Sequence, residues 1–223
     1  MPPRVKYTKE AIVAAALSVT QKKGFASVTA REVAKELKIS VAPIFTCFTN
    51  MDDLKVQVYE LVKSIYKDQI MKGVNETPPF LGIWKQYMRF SKEAPELYKT
   101  LFFSRPNGAI GGPVEMLKFT QDLARDSIMK FYKFDAKTAD SLFRNLWLVS
   151  STFTALMVTG ESPYTEEEMF AIGREILISL CKGYKEIPGL ATGNYDVGKV
   201  FSEIIDKWRP RGVKKYVEGQ NNK

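Results

Sequence analysis

The sequence of 223 residues contains no histidine and only two cysteines, Cys47 and Cys181. Without histidine the commonest general base of enzymes is missing, and two distant cysteines build neither a disulfide framework nor a zinc cluster. A nucleophile motif and a glycine-rich loop that could cradle a phosphate are also lacking. Isolated carboxylates such as Glu93, Glu96 and Asp122 are better interpreted as solvated or capping groups. We therefore expect no enzyme, no catalytic residue, no metal and no cofactor.

The chain also lacks a hydrophobic run that could cross a membrane. Its longest uncharged stretch lies between Arg144 and Glu161, has 16 residues and is rich in Ser and Thr. A membrane span needs about 20 mostly apolar residues. Residues 1–7 have no apolar core of a secretory signal. We therefore expect a cytoplasmic protein without a membrane partner, whose 45% hydrophobic content forms a buried core.

Positive charge is in excess, and much of it lies near the N-terminus. The net charge is +8, and residues 1–50 carry eight Lys or Arg against three Glu, a net charge of +5. Such a cluster alone is better explained as a solvated surface. Next to a DNA-binding motif, contact with phosphates becomes the better interpretation.

Helical periodicity runs through the chain, and no alternating strand pattern with hairpin signals is present. The predicted fold class is all-α, with segments at 1–50, 51–72 and 73–209 and a polar tail at 210–223. Helices are expected at about 9–23, 30–37, 41–48, 51–71, 80–93, 95–103, 114–132, 136–159, 166–186 and 196–208.

The segment 29–54 has the layout of a helix-turn-helix followed by the start of a further helix. Thr29 and Glu32 predict a capping box at the start of its first helix, and Ser40 is expected to cap the second helix at 41–48. In this motif the second helix, called the recognition helix, enters the major groove of DNA. The first segment is therefore expected to be a three-helix DNA-binding domain.

Residues 8–55 resemble the DNA-binding domain of the tetracycline-repressor (TetR) family. The matching positions, in the family's order and spacing, are Ile12, Ala15, Ala16, Leu17, Gly24, Phe25, Thr29, Val33, Ala34, Ile39, Ser40, Ile44, Phe45, Phe48 and Leu54. The resemblance implies a dimeric transcriptional regulator, usually a repressor, that binds a double-stranded DNA operator and responds to a small molecule. It also makes 73–209 a helical ligand-binding and dimerisation domain, joined to the first domain by a connecting helix.

The expected DNA contacts lie on two helices. The N-terminus of the first motif helix attracts phosphate, and basic side chains add charge. The residues expected to contact DNA are Thr29, Arg31, Lys38, Ser40, Val41, Ala42, Pro43, Phe45 and Thr46. The residues expected in the core beneath them are Val33, Ala34, Leu37, Ile39, Ile44 and Phe48.

Three departures from the family pattern bear on specificity. Phe45 replaces the usual tyrosine, Met51 the usual lysine, and Lys38 a common glycine. The recognition helix has no Arg or Lys for bidentate reading of guanine, so apolar contact with thymine methyls and shape readout are expected. Phe45, Met51 and Pro43 also motivate an alternative, a small-molecule binding or sequestering protein whose DNA-reading helix is degenerate.

The second domain is rich in large apolar side chains. The run of Trp84, Tyr87 and Phe90 followed by residues 95–103 resembles the sensor domain of some TetR regulators. Most such residues belong to a core, but some can line a pocket, and without a charge cluster the ligand is expected to be small and hydrophobic. The expected ligand contacts are Trp84, Tyr87, Met88, Phe119, Leu123, Trp147, Phe153 and Met157.

Two late stripes are candidates for a homodimer interface. One comprises the small residues Ser151, Ala155 and Thr159. The other comprises Phe170, Gly173, Leu177, Leu180, Cys181 and Tyr184. Two such helices from each subunit would make a four-helix bundle. The alternative is that both stripes pack within one subunit.

Overall fold

The computed structural model describes residues 7–208, with side chains through residue 205, and the regular secondary structure of these residues is entirely helical, as predicted. The helices are α1 (Lys9–Lys23), α2 (Ala30–Leu37), α3 (Ala42–Cys47), α4 (Met51–Gly73), α5 (Pro79–Glu93), α6 (Pro95–Phe103), α7 (Pro113–Tyr132), α8 (Ala136–Thr159), α9 (Glu166–Glu186) and α10 (Val197–Trp208). The tail predicted at 210–223 lies outside the described residues.

The first three helices form a small domain around one apolar cluster. Ile12 and Ala16 of α1, Val33 of α2 and Ile44 of α3 are fully buried in it. The predicted core beneath the recognition helix is confirmed: Val33, Ala34, Ile44 and Phe48 are buried, and Leu37 and Ile39 pack against the cluster. This packing fixes α3 relative to α2 and leaves its opposite side free.

Two of the predicted caps differ from the structure. The Thr29 hydroxyl accepts the Glu32 N–H at 3.3 Å, but the Glu32 carboxylate binds Lys23 of α1, so the capping box is only half formed. Ser40 does not cap the recognition helix, which begins later than predicted, at Ala42, with no side-chain cap. A complete capping box instead joins Thr165 and Glu168 at the start of α9.

Helix α4 connects the two parts of the molecule. It packs against α1 on one side and against α5, α6 and α7 on the other. Near its end the backbones of α4 and α5 approach so closely that a Cβ added at Gly73 would lie 2.4 Å from the carbonyl carbon of Gly82. The absence of a side chain at both glycines permits this contact.

The second domain is built from α5 to α9 around a core that includes Ile83, Met88, Met116 and Leu142. No helix among residues 7–208 combines the length and apolar character needed to cross a bilayer. The terminal helix α10 exposes an apolar stripe. The stripe consists of Val197, Phe201, Ile204 and Ile205, each exposed by more than half.

The close approach of α4 and α5 yields a stability prediction. Replacing Gly73 with Ala forces the two backbones apart and should lower the free energy of unfolding by about 1–3 kcal/mol, measured by urea denaturation. Gly198→Ala in α10 is the matched control, because its nearest neighbour is the Asp196 carboxylate at 3.5 Å. Equal unfolding midpoints for the two variants would contradict the proposed close packing.

Candidate DNA-binding surface and ligand cavity

The residues predicted to contact DNA all lie at the protein surface. Eight of the nine are exposed, and Pro43 is half-buried in the first turn of α3. The two sides of this short helix differ sharply: Phe45 is 50% exposed and Val41, at the N-cap, is 39% exposed, whereas Ile44 is fully buried. We call the exposed set Ser40, Val41, Ala42, Phe45 and Thr46 the reading face.

The reading face carries no charged group and few hydrogen-bond donors. The Thr46 hydroxyl donates to the backbone carbonyl of Ala42 at 3.2 Å, which occupies its only proton. Its oxygen remains able to accept. Val41 and Phe45 present apolar surface of the kind that contacts a thymine methyl group. The chemistry of this face therefore favours apolar contact over bidentate reading of guanine.

Basic residues around the reading face divide into two groups. Lys22 and Lys23 of α1 bind Glu36 and Glu32 of α2, and hydrogen bonds from these lysines lower the pKa of both carboxyls. They brace the two helices against each other. A second group, Arg31, Lys35 and Lys38, is exposed and forms no ion pair among residues 7–208. This second group retains its charge for an external anion.

The turn before the recognition helix holds a lysine in an unusual backbone conformation. Lys38 has φ 57° and ψ 43°, the left-handed region, and its N–H binds the carbonyls of Ala34 and Lys35 to close α2. Glycine is the usual residue in this conformation, because a Cβ disfavours it. Lysine here keeps the turn and adds a positive charge beside Ser40.

A small cavity lies in the second domain, between α5, α7 and α8. Its volume is about 20 Å³. That is room for about one water molecule, against about 300–1,000 Å³ for typical ligand sites, so a larger molecule requires the lining side chains to move. The lining residues are Phe80, Ile83, Trp84, Tyr87, Thr120, Phe143, Leu146, Trp147 and Ser150.

Three of the eight predicted ligand contacts, Trp84, Tyr87 and Trp147, line this cavity. The remaining lining residues were missed, although periodicity carries the signal. Positions 80, 83, 84 and 87 on α5 and positions 143, 146, 147 and 150 on α8 each follow the i, i+3, i+4, i+7 pattern of one helix face. If these two helix faces had been recognised as facing each other across a gap, the missed lining residues on α5 and α8 would have been predicted.

The other five predicted contacts are not brought to the cavity. Met88 and Phe153 are buried in the core. Phe119 and Leu123 are half-buried on α7, and the Lys67 ammonium lies 5.5 Å from the Phe119 ring centre. Met157 lines a separate open groove near Met169.

Hydroxyl groups near the cavity are joined in internal hydrogen bonds. The Trp84 indole N–H donates to the Ser150 hydroxyl, which donates to the Leu146 carbonyl, both at 2.7 Å. Tyr87 shares hydrogen bonds with Tyr98 at 2.9 Å and with Thr154 at 3.3 Å. Burial raises the pKa of both phenols, which therefore stay protonated and neutral.

The two stripes considered for dimerisation differ in their packing. On α9, Gly173 is buried against the Trp84 ring, Phe170 packs edge-on against the same ring, and Tyr184 accepts a hydrogen bond from Asn145 at 2.8 Å. The α9 stripe thus packs within the subunit. On α8, Ser151 and Ala155 are half-buried and Thr159 is exposed, so that stripe remains at the surface.

Comparison with known families identifies the first domain. Residues 12–58 match the family model described as bacterial regulatory proteins of the tetR family. The match begins in α1, includes α2, the turn and all of α3, and ends within α4, so it contains the whole reading face. A search of curated proteins found no match to the chain. Residues 12–58 therefore form a helix-turn-helix DNA-binding domain of the kind found in transcriptional regulators of the TetR family.

Proposed function

We propose that the protein is a TetR-family transcriptional regulator, a homodimer that represses transcription from a near-palindromic operator and is released by a small, mostly apolar ligand. The observation that carries the DNA half is the reading face, five exposed residues held on a buried core. Two such faces in a dimer would enter successive major grooves, about 34–36 Å apart.

The division of labour at the DNA follows from the charges. Arg31, Lys35 and Lys38 lie beside the uncharged reading face and supply attraction to phosphates, which is independent of sequence. Val41 and Phe45 supply contacts that favour thymine. We therefore propose an operator whose half-sites are rich in A·T pairs, recognised partly by shape.

Exposed apolar side chains support the homodimer. Leu148 of α8, on the same helix as the small stripe, is 53% exposed, and Ile178 of α9 is 63% exposed. The stripe on α10 adds Phe201, Ile204 and Ile205. A helix of this length is marginal alone in water, so its apolar face needs a partner surface. A second copy of the chain provides one in this proposal.

The cavity supports control by a ligand. Its walls belong to α5, α7 and α8, and α5 and α7 also pack on α4. Because the cavity is small, a ligand that enters must displace wall side chains and press on α4, which also contacts α1. A coupling of about 1–3 kcal/mol between the sites would change DNA affinity five-fold to 150-fold.

The second candidate is a small-molecule binding or sequestering protein with a degenerate DNA-reading helix. The observation that favours it is the reading face itself, which lacks charged groups and has Phe45 where the family usually has a tyrosine. The two candidates differ in one property, which is sequence-specific binding of DNA.

A selection from a random double-stranded DNA pool at physiological salt tests the proposal directly. We expect enrichment of an inverted repeat with A·T-rich half-sites, detected by sequencing the bound fraction. Folding of the protein is verified first by circular dichroism. Failure of folded protein to enrich any sequence would favour the sequestering candidate.

Phosphate contact by Arg31 is tested with Arg31→Ala. Loss of one contact should weaken DNA binding and reduce the slope of log K against log salt by about 0.9, measured by fluorescence anisotropy over a salt series. Lys130→Ala is the control, because Lys130 is an exposed lysine on α7. It should leave the DNA affinity and the salt slope unchanged. Identical slopes for the two variants would exclude Arg31 from the DNA contact.

The homodimer is tested with Ile178→Glu, which places a charge on the exposed apolar surface of α9. We expect dissociation to monomers in analytical ultracentrifugation, because burying an unpaired carboxylate is costly. Ile110→Glu is the matched control, since Ile110 is 82% exposed in the loop before α7. A variant at 178 that remains as dimeric as the control would place the interface elsewhere.

A further inference from the structure

One donor in the second domain stands apart from the hydrogen-bonded groups around it. The Nε1–H of Trp147 is buried and has no acceptor among the described residues. Trp147 lines the cavity between α5, α7 and α8. Buried donors are nearly always paired, because leaving one unpaired costs free energy. Because Trp147 lines the cavity, a molecule bound there is a source of the missing acceptor.

The other polar groups of the cavity wall are already paired. Ser150 accepts from Trp84 and donates to a backbone carbonyl. Thr120 bonds the Tyr66 hydroxyl at 2.9 Å and the Met116 carbonyl at 2.8 Å. Tyr87 is held by Tyr98 and Thr154. The wall therefore has one donor left for a ligand acceptor, the Trp147 Nε1–H. Donors on a ligand would have to compete with hydrogen bonds that the protein already makes.

Charge narrows the ligand class further. None of the nine lining residues is ionisable at neutral pH, because the pKa of Tyr87, the only titratable one, is raised by burial. A carboxylate or an ammonium placed there would be buried without a partner, which is strongly unfavourable. Six of the lining residues, Phe80, Ile83, Trp84, Phe143, Leu146 and Trp147, offer mainly apolar surface.

We propose that the effector is a neutral, largely apolar molecule with a carbonyl, ester or ether oxygen that accepts the Trp147 Nε1–H. The proposal rests on the ligand-controlled function above and names the chemistry of its site. Trp147 is then the residue that selects oxygen-bearing ligands over pure hydrocarbons of the same shape. The rings of Trp84 and Trp147 are half-buried, whereas Ile83 and Tyr87 in the same wall are almost completely buried.

A matched pair of probes tests this with the full-length protein. Cyclohexanone and methylenecyclohexane differ only by an exocyclic oxygen in place of a CH₂ group, and cyclohexanecarboxylate adds a charge. Binding is followed by ¹H–¹⁵N spectra of the indole N–H groups, assigned with single Trp→Phe variants at 84, 147 and 208. The titration itself uses the unaltered protein, and the variants serve only to assign the three indole resonances.

We expect cyclohexanone to move the Trp147 indole proton downfield in a saturable manner and to bind about tenfold more tightly than methylenecyclohexane. Cyclohexanecarboxylate should not bind. Trp147→Phe should remove the tenfold preference and leave the affinity for methylenecyclohexane within twofold.

Three results would overturn the proposal. The first is equal affinity for the ketone and the alkene. The second is a Trp147 indole resonance that the ketone does not move, which would mean that water already serves as the acceptor. The third is that neither neutral probe binds. The DNA selection uses no ligand, so its outcome tests the regulator function separately from this titration.

Discussion

Burial of α4 is the constraint on which the rest of the molecule depends. Val58, Tyr59, Val62, Tyr66 and Ile70 of this helix are all completely inaccessible to solvent. Because one rigid element contributes to the packing of both domains, α4 cannot shift against the second domain without disturbing α1 as well. Close packing of this kind transmits displacement, since interiors have few voids to absorb it.

Polar contacts along α4 reinforce this packing. The buried ammonium of Lys63 binds Glu115 at the start of α7 at 2.7 Å and the Ile110 carbonyl at 3.0 Å. Burial alone would lower the pKa of Lys63, but the hydrogen bonds that its ammonium donates to Glu115 and Glu60 outweigh burial, and the pKa is raised. The lysine therefore stays charged and ties α4 to α7, one of the helices that wall the cavity. The apolar contact and the ion pair hold the same two elements in register.

In the first domain, the positive charges and the apolar reading face belong to different residues. Two lysines of the basic N-terminal region brace α1 against α2, so the raw excess of positive charge overstates what is available to DNA. What remains at Arg31, Lys35 and Lys38 surrounds a recognition helix that is apolar on its exposed side. Affinity from phosphates and specificity from apolar contact then come from different residues, and each can be changed without the other.

The sequence by itself determined the helices, because caps and 3.6-residue periodicity are local. The bounds of α8 and α9 agree with prediction to the residue, and the core under α3 was expected from the helix-turn-helix pattern and its resemblance to the TetR domain. Glu32 failed to complete the capping box because its carboxylate binds Lys23 across the helix interface. Ser40 failed as a cap because α3 begins at Ala42, which puts Val41 and not Ser40 at the N-cap position. Which large apolar residues border a cavity, and which only fill the core, also depends on contacts between helices that are distant in the chain. Trp84 and Trp147 line the cavity, whereas Met88 and Phe153 are buried in the core. Gly173 packs against the Trp84 ring. Only the tertiary structure decided these contacts, because the periodicity of a helix indicates which face is buried but not which residues it packs against.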